Sequence, residues 1–246
     1  MSKTTSHFHK TDTIFTQLKT AVLDGLFPIH CLGCGTFDQW ICDKCHTTLP
    51  LLTQQHCPIC KKNMTNNGEV CPICIADKKH NMFDGIFVAS YYNDILLKKA
   101  IHFYKYRFVS DLSEPLSLLI AQALQNSTLP SPDIIIPVPL HKRRQRWRGF
   151  NQAELLARAL DLQIPLLTDI LLRVRYTVPQ VKMKNKSKRQ ENLTNAFTVK
   201  NAMHIHGKNI LLIDDVITTG ATLNECARTL KSAGAKNVFC LVLARE

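Results

Sequence analysis

The stretch Leu211–Thr222, LLIDDVITTGAT, carries two adjacent carboxylates followed by a turn of small and hydroxylated residues. Gly220 permits a tight turn and close backbone approach. The backbone N–H groups of Thr218, Thr219, Gly220, Ala221 and Thr222 then face the mouth of the loop, at the positive end of the helix expected to begin near Ala221. That arrangement cradles a phosphate, with the hydroxyls of Thr218, Thr219 and Thr222 as further donors. Asp214 and Asp215 would repel a phosphate and need another partner. Vicinal sugar hydroxyls, which donate to carboxylates, meet that need. A sugar phosphate of the ribose 5-phosphate type satisfies both halves, with Val216 between them. The G-K-[ST] ending of a Walker loop is missing. Adjacent aspartates at a buried strand end are costly without a ligand or metal, which favours a site over a plain capped turn.

A second concentration of chemistry lies at Pro137–Gln152, PVPLHKRRQRWRGFNQ. Pro137 and Pro139 fix a rigid exit from a strand. Lys142, Arg143, Arg144, Arg146 and Arg148 follow as a basic loop with five cations in seven residues, and arginines contact phosphate oxygens well. Trp147 and Phe150 interleave with the cations, as in a surface that stacks nucleic acid bases; a solvated basic turn fits the same composition. Asn151 is a candidate cap for the next helix. A third basic stretch holds Arg173, Arg175, Lys182, Lys184, Lys186, Lys188 and Arg189 and reads as a loop.

Eight of the ten cysteines form four C-x-x-C pairs: Cys31 and Cys34, Cys42 and Cys45, Cys57 and Cys60, Cys71 and Cys74. Each pair presents two thiolates from one turn, and two pairs complete tetrahedral zinc. Pairing in chain order puts the first four cysteines on one zinc and the last four on another; spacing alone leaves an interleaved pairing open. Four thiolates leave no open coordination position, so these zincs are expected to be structural. His46 and His56 adjoin cysteines and are expected on the surface. Cys226 and Cys240 read as small core residues.

The elements that position these groups follow from hydrophobic periodicity. Residues 12–29 have the spacing of an amphipathic helix. From residue 84 onward, apolar runs alternate with amphipathic stretches. GIFVASY, DIIIPVP, NAFTV, NILLID and NVFCLVLA read as strands, with NILLID ending at Asp214. Residues 94–104, 111–125, 150–162 and 221–233 read as helices. Strands that are apolar throughout and separated by helices predict an α/β fold, a parallel sheet covered on both faces. Two regions are expected: residues 1–80, a helix plus the cysteine module, and residues 81–246, the α/β domain.

Apolar residues make up 45% of the chain, which places it among globular proteins. No apolar run approaches the ~20 residues of a membrane span, and MSKTTSHFHKTDT lacks the apolar core of a secretory signal, so a cytoplasmic location is expected. The net charge is +12. Residues 1–80 hold 8 Lys/Arg against 6 Asp/Glu, and residues 81–246 hold 23 against 13. The surplus in the second region favours an anionic partner, although a solvated basic surface has the same composition.

Taken together, LLIDDVITTGAT, PVPLHKRRQRWRGFNQAELLARAL, RQENLTNAF and the cysteine module resemble the ComF family, associated with natural competence. The resemblance implies a type I phosphoribosyltransferase-like parallel sheet flanked by helices, behind a small N-terminal zinc-ribbon module. It also implies a pocket for 5-phosphoribosyl-1-pyrophosphate (PRPP) with Mg2+. Asp214 and Asp215 would be the catalytic carboxylates, the loop through Thr222 the phosphate site, and Lys142, Arg143, Arg144 and Arg148 the pyrophosphate side. Arg175 and Gln180 would face the ligand across a closing loop, with Arg189 and Asn192 after it. Lys105 and Arg107, within YKYRF, are structural or touch phosphate. Phosphoribosyl transfer to an unidentified acceptor is one expected activity. The other is a non-catalytic, PRPP-sensing adaptor for single-stranded DNA or a competence-machinery protein.

Overall fold

The computed structural model describes residues 28–77, 82–125, 127, 129–176 and 193–246. The helix expected at 12–29 lies almost wholly outside the described residues. So do Lys182, Lys184, Lys186, Lys188, Arg189, Gln180 and Asn192 of the third basic stretch. The chain forms two compact units, Met1–Thr47 and Thr48–Glu246, a different line from the motif boundary at residue 80.

In the first unit, the described residues form a knuckle at Cys31–Cys34 and a short helix, α1 (Asp43–His46). In the second, the other cysteine cluster includes α2 (Pro72–Ala76) and leads into β1 (Gly85–Tyr91). Then come α3 (Ile95–Tyr106), α4 (Ser113–Leu124), β2 (Ile134–Pro137), α5 (Lys142–Arg148) and α6 (Gln152–Leu160). A short antiparallel pair, β3 (Leu171–Arg173) and β4 (Phe197–Val199), precedes β5 (Asn209–Ile217), α7 (Ala221–Ser232) and β6 (Asn237–Arg245). The main sheet is parallel in the order β1-β6-β5-β2. Its strands are buried along nearly their whole length, as uninterrupted apolar runs require when helices cover both faces.

Two expectations need correction. The strand NILLID does not stop at Asp214: β5 runs on to Ile217 because Val216 and Ile217 still pair with Ala244 and Arg245 of β6. The basic stretch after β2 is not a loop but the helix α5. His141 Nδ1 accepts from the Arg143 N–H at its start, and Gly149, with φ 86°, ends it in the left-handed region.

The exposed side of β1 would be a sheet edge, and the segment before it covers that edge. Leu52 N–H donates to the Ala89 carbonyl. Gln55, buried, receives the Val88 N–H at 2.9 Å and returns a bond to the Val88 carbonyl at 3.1 Å. Gly68 approaches so closely that a Cβ there would sit 1.9 Å from the Ile86 carbonyl oxygen.

Candidate functional site

Strand pairing creates a crevice. β2 pairs with β5 only as far as Pro137 opposite Ile213. Beyond that register β5 continues while Pro139 and Leu140 lead away, so the β2 side of Asp214 and Asp215 is open. Crevices at the carboxyl ends of parallel strands are where such sheets bind ligands. The cavity here measures about 180 Å³.

The two carboxylates play different parts because side chains alternate along a strand. Asp214 shares the face of Leu212, toward α7 and the buried Cys226. Asp215 shares the face of Ile213, toward α3. There Lys105 Nζ lies 2.9 Å from Asp215 Oδ1. Burial acts to lower the Lys105 pKa, but the Asp215 carboxylate outweighs it and holds Lys105 above its usual range. Among the described residues Asp214 has no such ion pair. Burial, and then the Asp215 charge, push its carboxyl up to about 7. Each aspartate also accepts a backbone N–H from the residue after it, Asp215 at 2.9 Å and Val216 at 2.6 Å.

Helix α5 supplies the opposite wall. Residues four apart share a helix face, and Arg144 and Arg148 are the two α5 cations that line the cavity; Lys142, Arg143 and Arg146 do not. Burial lowers the pKa of Arg148, with Asp215 opposing. Arg148 Nη1 donates to Oε1 of the buried Gln152, whose Nε2 has no hydrogen-bond partner among the described residues. Asn151 is the expected cap, accepting from Ala153 N–H at 3.2 Å, and it also donates to the Val138 carbonyl at 3.1 Å. It thereby ties the start of α6 to the exit of β2. Arg173, on β3, completes the ring of cations, its guanidinium 5.3 Å from the centre of the Phe197 ring.

Of the loop residues, Thr222 lines the cavity. Gly220, with φ 78°, caps α7, and Thr219 Oγ1 accepts from Ala221 N–H at 3.4 Å. The first N–H groups of any helix lack partners within it, and here they adjoin the carboxylates. The structure thus gathers Asp214, Asp215, Thr222, Arg144 and Arg148 around one cavity. It also holds Lys105, which the resemblance offered as structural or touching phosphate, Arg173 from the start of the third basic stretch, and Gln152, four residues after Arg148. Arg175 donates to the Thr194 carbonyl instead.

The cysteine pairs resolve in chain order. The ligand atoms of Cys31, Cys34, Cys42 and Cys45 lie within 4.8 Å of one another, as do those of Cys57, Cys60, Cys71 and Cys74. Zn–S bonds of about 2.3 Å imply tetrahedral S–S edges of about 3.8 Å. Cys34 to Cys42 is 3.5 Å and Cys60 to Cys71 is 3.8 Å. Charge crowding points the same way. The Cys74 N–H and Asn63 draw Cys71 down to about 6, while burial and then neighbouring thiols push Cys74 up to about 12. Four thiolates so close need a cation, and the residues fit structural zinc. His46 is buried and His56 half-buried, against the surface positions expected for them.

Sheet, crevice and four-sulfur clusters define a phosphoribosyltransferase-type domain behind a double zinc ribbon. The phosphoribosyl transferase domain family matches residues 146–246, and the double zinc ribbon domain family matches residues 22–76. The chain is 32% identical to competence protein F of Haemophilus influenzae over 88% of its own length and 96% of that protein. It is 31% identical to competence protein ComFC of Bacillus subtilis, over 85% of each chain. With DNA utilization protein YhgH of Escherichia coli K12 it shares 30% identity over 82% of this chain and 96% of that one. The chain belongs to the ComF family.

Proposed function

We propose that the crevice at Asp214 and Asp215 binds PRPP with Mg2+, and that the protein serves DNA uptake during natural competence. One observation carries the ligand reading: a single cavity combines two carboxylates, a helix N-terminus with Thr222, and the arginines of α5. The carboxylates suit the ribose hydroxyls, the loop at Thr218–Thr222 suits the 5-phosphate, and Arg144 and Arg148 suit the pyrophosphate. Asp214, raised to about 7 beside Asp215, lacks a full counter-charge. A magnesium ion held with substrate oxygens would supply it, and sugar hydroxyls would donate hydrogen bonds to the carboxylate. Lys105 orients Asp215. In the transfer reaction, charge develops at the ribose carbon as pyrophosphate leaves, and this chain's part is to position the sugar and hold the leaving group. The biological setting rests on the competence and DNA utilization names of the relatives. Among the described residues no helix is long and apolar enough to cross a membrane, in keeping with the cytoplasmic location we propose.

Titration calorimetry of zinc-loaded protein with Mg-PRPP tests the proposal. Saturable binding that the Asp214→Asn/Asp215→Asn variant loses is the expected result. Folded protein that takes up no Mg-PRPP refutes it.

A further inference from the structure

A second cavity, of about 410 Å³, adjoins the first on the outer side of α5. It shares Tyr106, Leu140, Arg144 and Arg148 with the crevice, and adds Arg143, Trp147 and Tyr176. Tyr106, Trp147 and Tyr176 line it and are 45%, 61% and 48% exposed. Single exposed apolar residues are ordinary; three aromatic rings gathered around three arginines are not. Arg143 and Arg144 lie 5.1 and 5.7 Å from the centre of the Tyr176 ring, and Arg148 lies 5.8 Å from that of Tyr106. No carboxylate is among the described residues lining the cavity.

The backbone supports the patch at a cost. Phe108 has φ 60°, a left-handed conformation that a bulky residue rarely adopts. That conformation sets its ring edge-on to Trp147, 4.9 Å between centres at 89°. Strain of this kind persists where surrounding structure holds it, often next to a ligand. Pyrophosphate and sugar hydroxyls have no use for aromatic faces, so Trp147 and Tyr176, which do not line the crevice, are not explained by it.

We propose that this cavity is a second ligand site, for a mononucleotide: a nucleobase stacks against Trp147 and the tyrosines while its phosphate is held by Arg143 and the shared Arg144 and Arg148. Planar rings and planar guanidinium groups both stack on bases, and the volume is that of a small-molecule pocket. The proposal rests on the PRPP reading only through the shared arginines. Because one guanidinium cannot serve two phosphates fully, Mg-PRPP and the nucleotide should weaken each other's binding, reciprocally.

Adenosine 5′-monophosphate is the probe. The chain has two tryptophans, so in a Trp40→Phe background Trp147 is the sole tryptophan emitter. Saturable quenching is expected. By calorimetry, Trp147→Ala should weaken the nucleotide about tenfold, as loss of one stacked base implies, and leave Mg-PRPP binding intact. Asp214→Asn/Asp215→Asn should retain nucleotide binding, and Mg-PRPP should weaken it severalfold in the unsubstituted protein. Nucleotide bound in the absence of any Mg-PRPP binding would support the second site while sinking the PRPP reading. Three outcomes overturn the proposal: no nucleotide binding; binding lost with the aspartates yet kept in Trp147→Ala, which places the nucleotide in the crevice; or binding of single-stranded oligonucleotide alone, which makes the patch a strand surface.

Discussion

Replacing Asp214 by Asn should stabilise the protein, and more so as pH rises. The carboxyl titrates near 3.8 in an unfolded chain and at about 7 in the folded one, raised first by burial and then by Asp215. Between these values the unfolded state ionises and the native state does not. Proton release on unfolding therefore lowers stability steadily as pH climbs from about 4 to about 7, and the loss is complete above 7. At 1.36 kcal/mol per pH unit, the loss is about 1.6 kcal/mol at pH 5 and about 4 kcal/mol at pH 8. Water in the open crevice screens part of this. The expected advantage of Asp214→Asn is then about 1 kcal/mol at pH 5 and about 2–4 kcal/mol at pH 8. Asparagine keeps the oxygen that accepts the Asp215 N–H, so no packing change competes. Urea denaturation of both proteins at the two pH values reads the difference, and the zinc contribution, common to both, cancels. Equal stability at both pH values, or a variant weaker at pH 8, would refute the claim that the native crevice holds an unfavourable carboxylate awaiting a ligand.

Two further outcomes test the framework around the crevice. Gln55→Ala strips the Val88 N–H and carbonyl of their side-chain partners at a buried sheet edge; thermal unfolding should register a loss of about 3 kcal/mol. The isolated protein should carry two zinc ions per chain by elemental analysis, and Cys57→Ser/Cys71→Ser should reduce the count to one while sparing the cluster of Cys31, Cys34, Cys42 and Cys45.

The cysteine pairs, the four strands of the main sheet and the Asp-Asp-Val-Ile-Thr-Thr-Gly stretch were legible in the sequence because their signals are local; the short strand β3, whose Arg173 reads as part of a basic loop, was not. A C-x-x-C turn, an apolar run and a glycine at a helix start each act within a few residues. The four helices expected after residue 84 also stand, with ends shifted by at most two residues where caps rather than periodicity set them. Helix α5 was missed because five cations in seven residues show no apolar period; His141 and Gly149 fix its ends, and its burial is confined to the face bearing Arg144 and Arg148. The strand end at Asp214 was misplaced because charge reads as a terminus, whereas pairing with β6 carries β5 on to Ile217.

Sequence by itself determined which residue types this protein brings to a ligand: carboxylates, threonines, arginines and eight zinc-binding thiols. It could not say how they meet. Only the tertiary structure set Lys105 against Asp215, across 110 positions of chain. Only strand alternation, within a sheet whose neighbour stops at Pro137, separated the two aspartates into one that is paired and one that is not. Such contacts arise from strand register and helix packing, which depend on the whole fold and leave no spacing in the chain to be read.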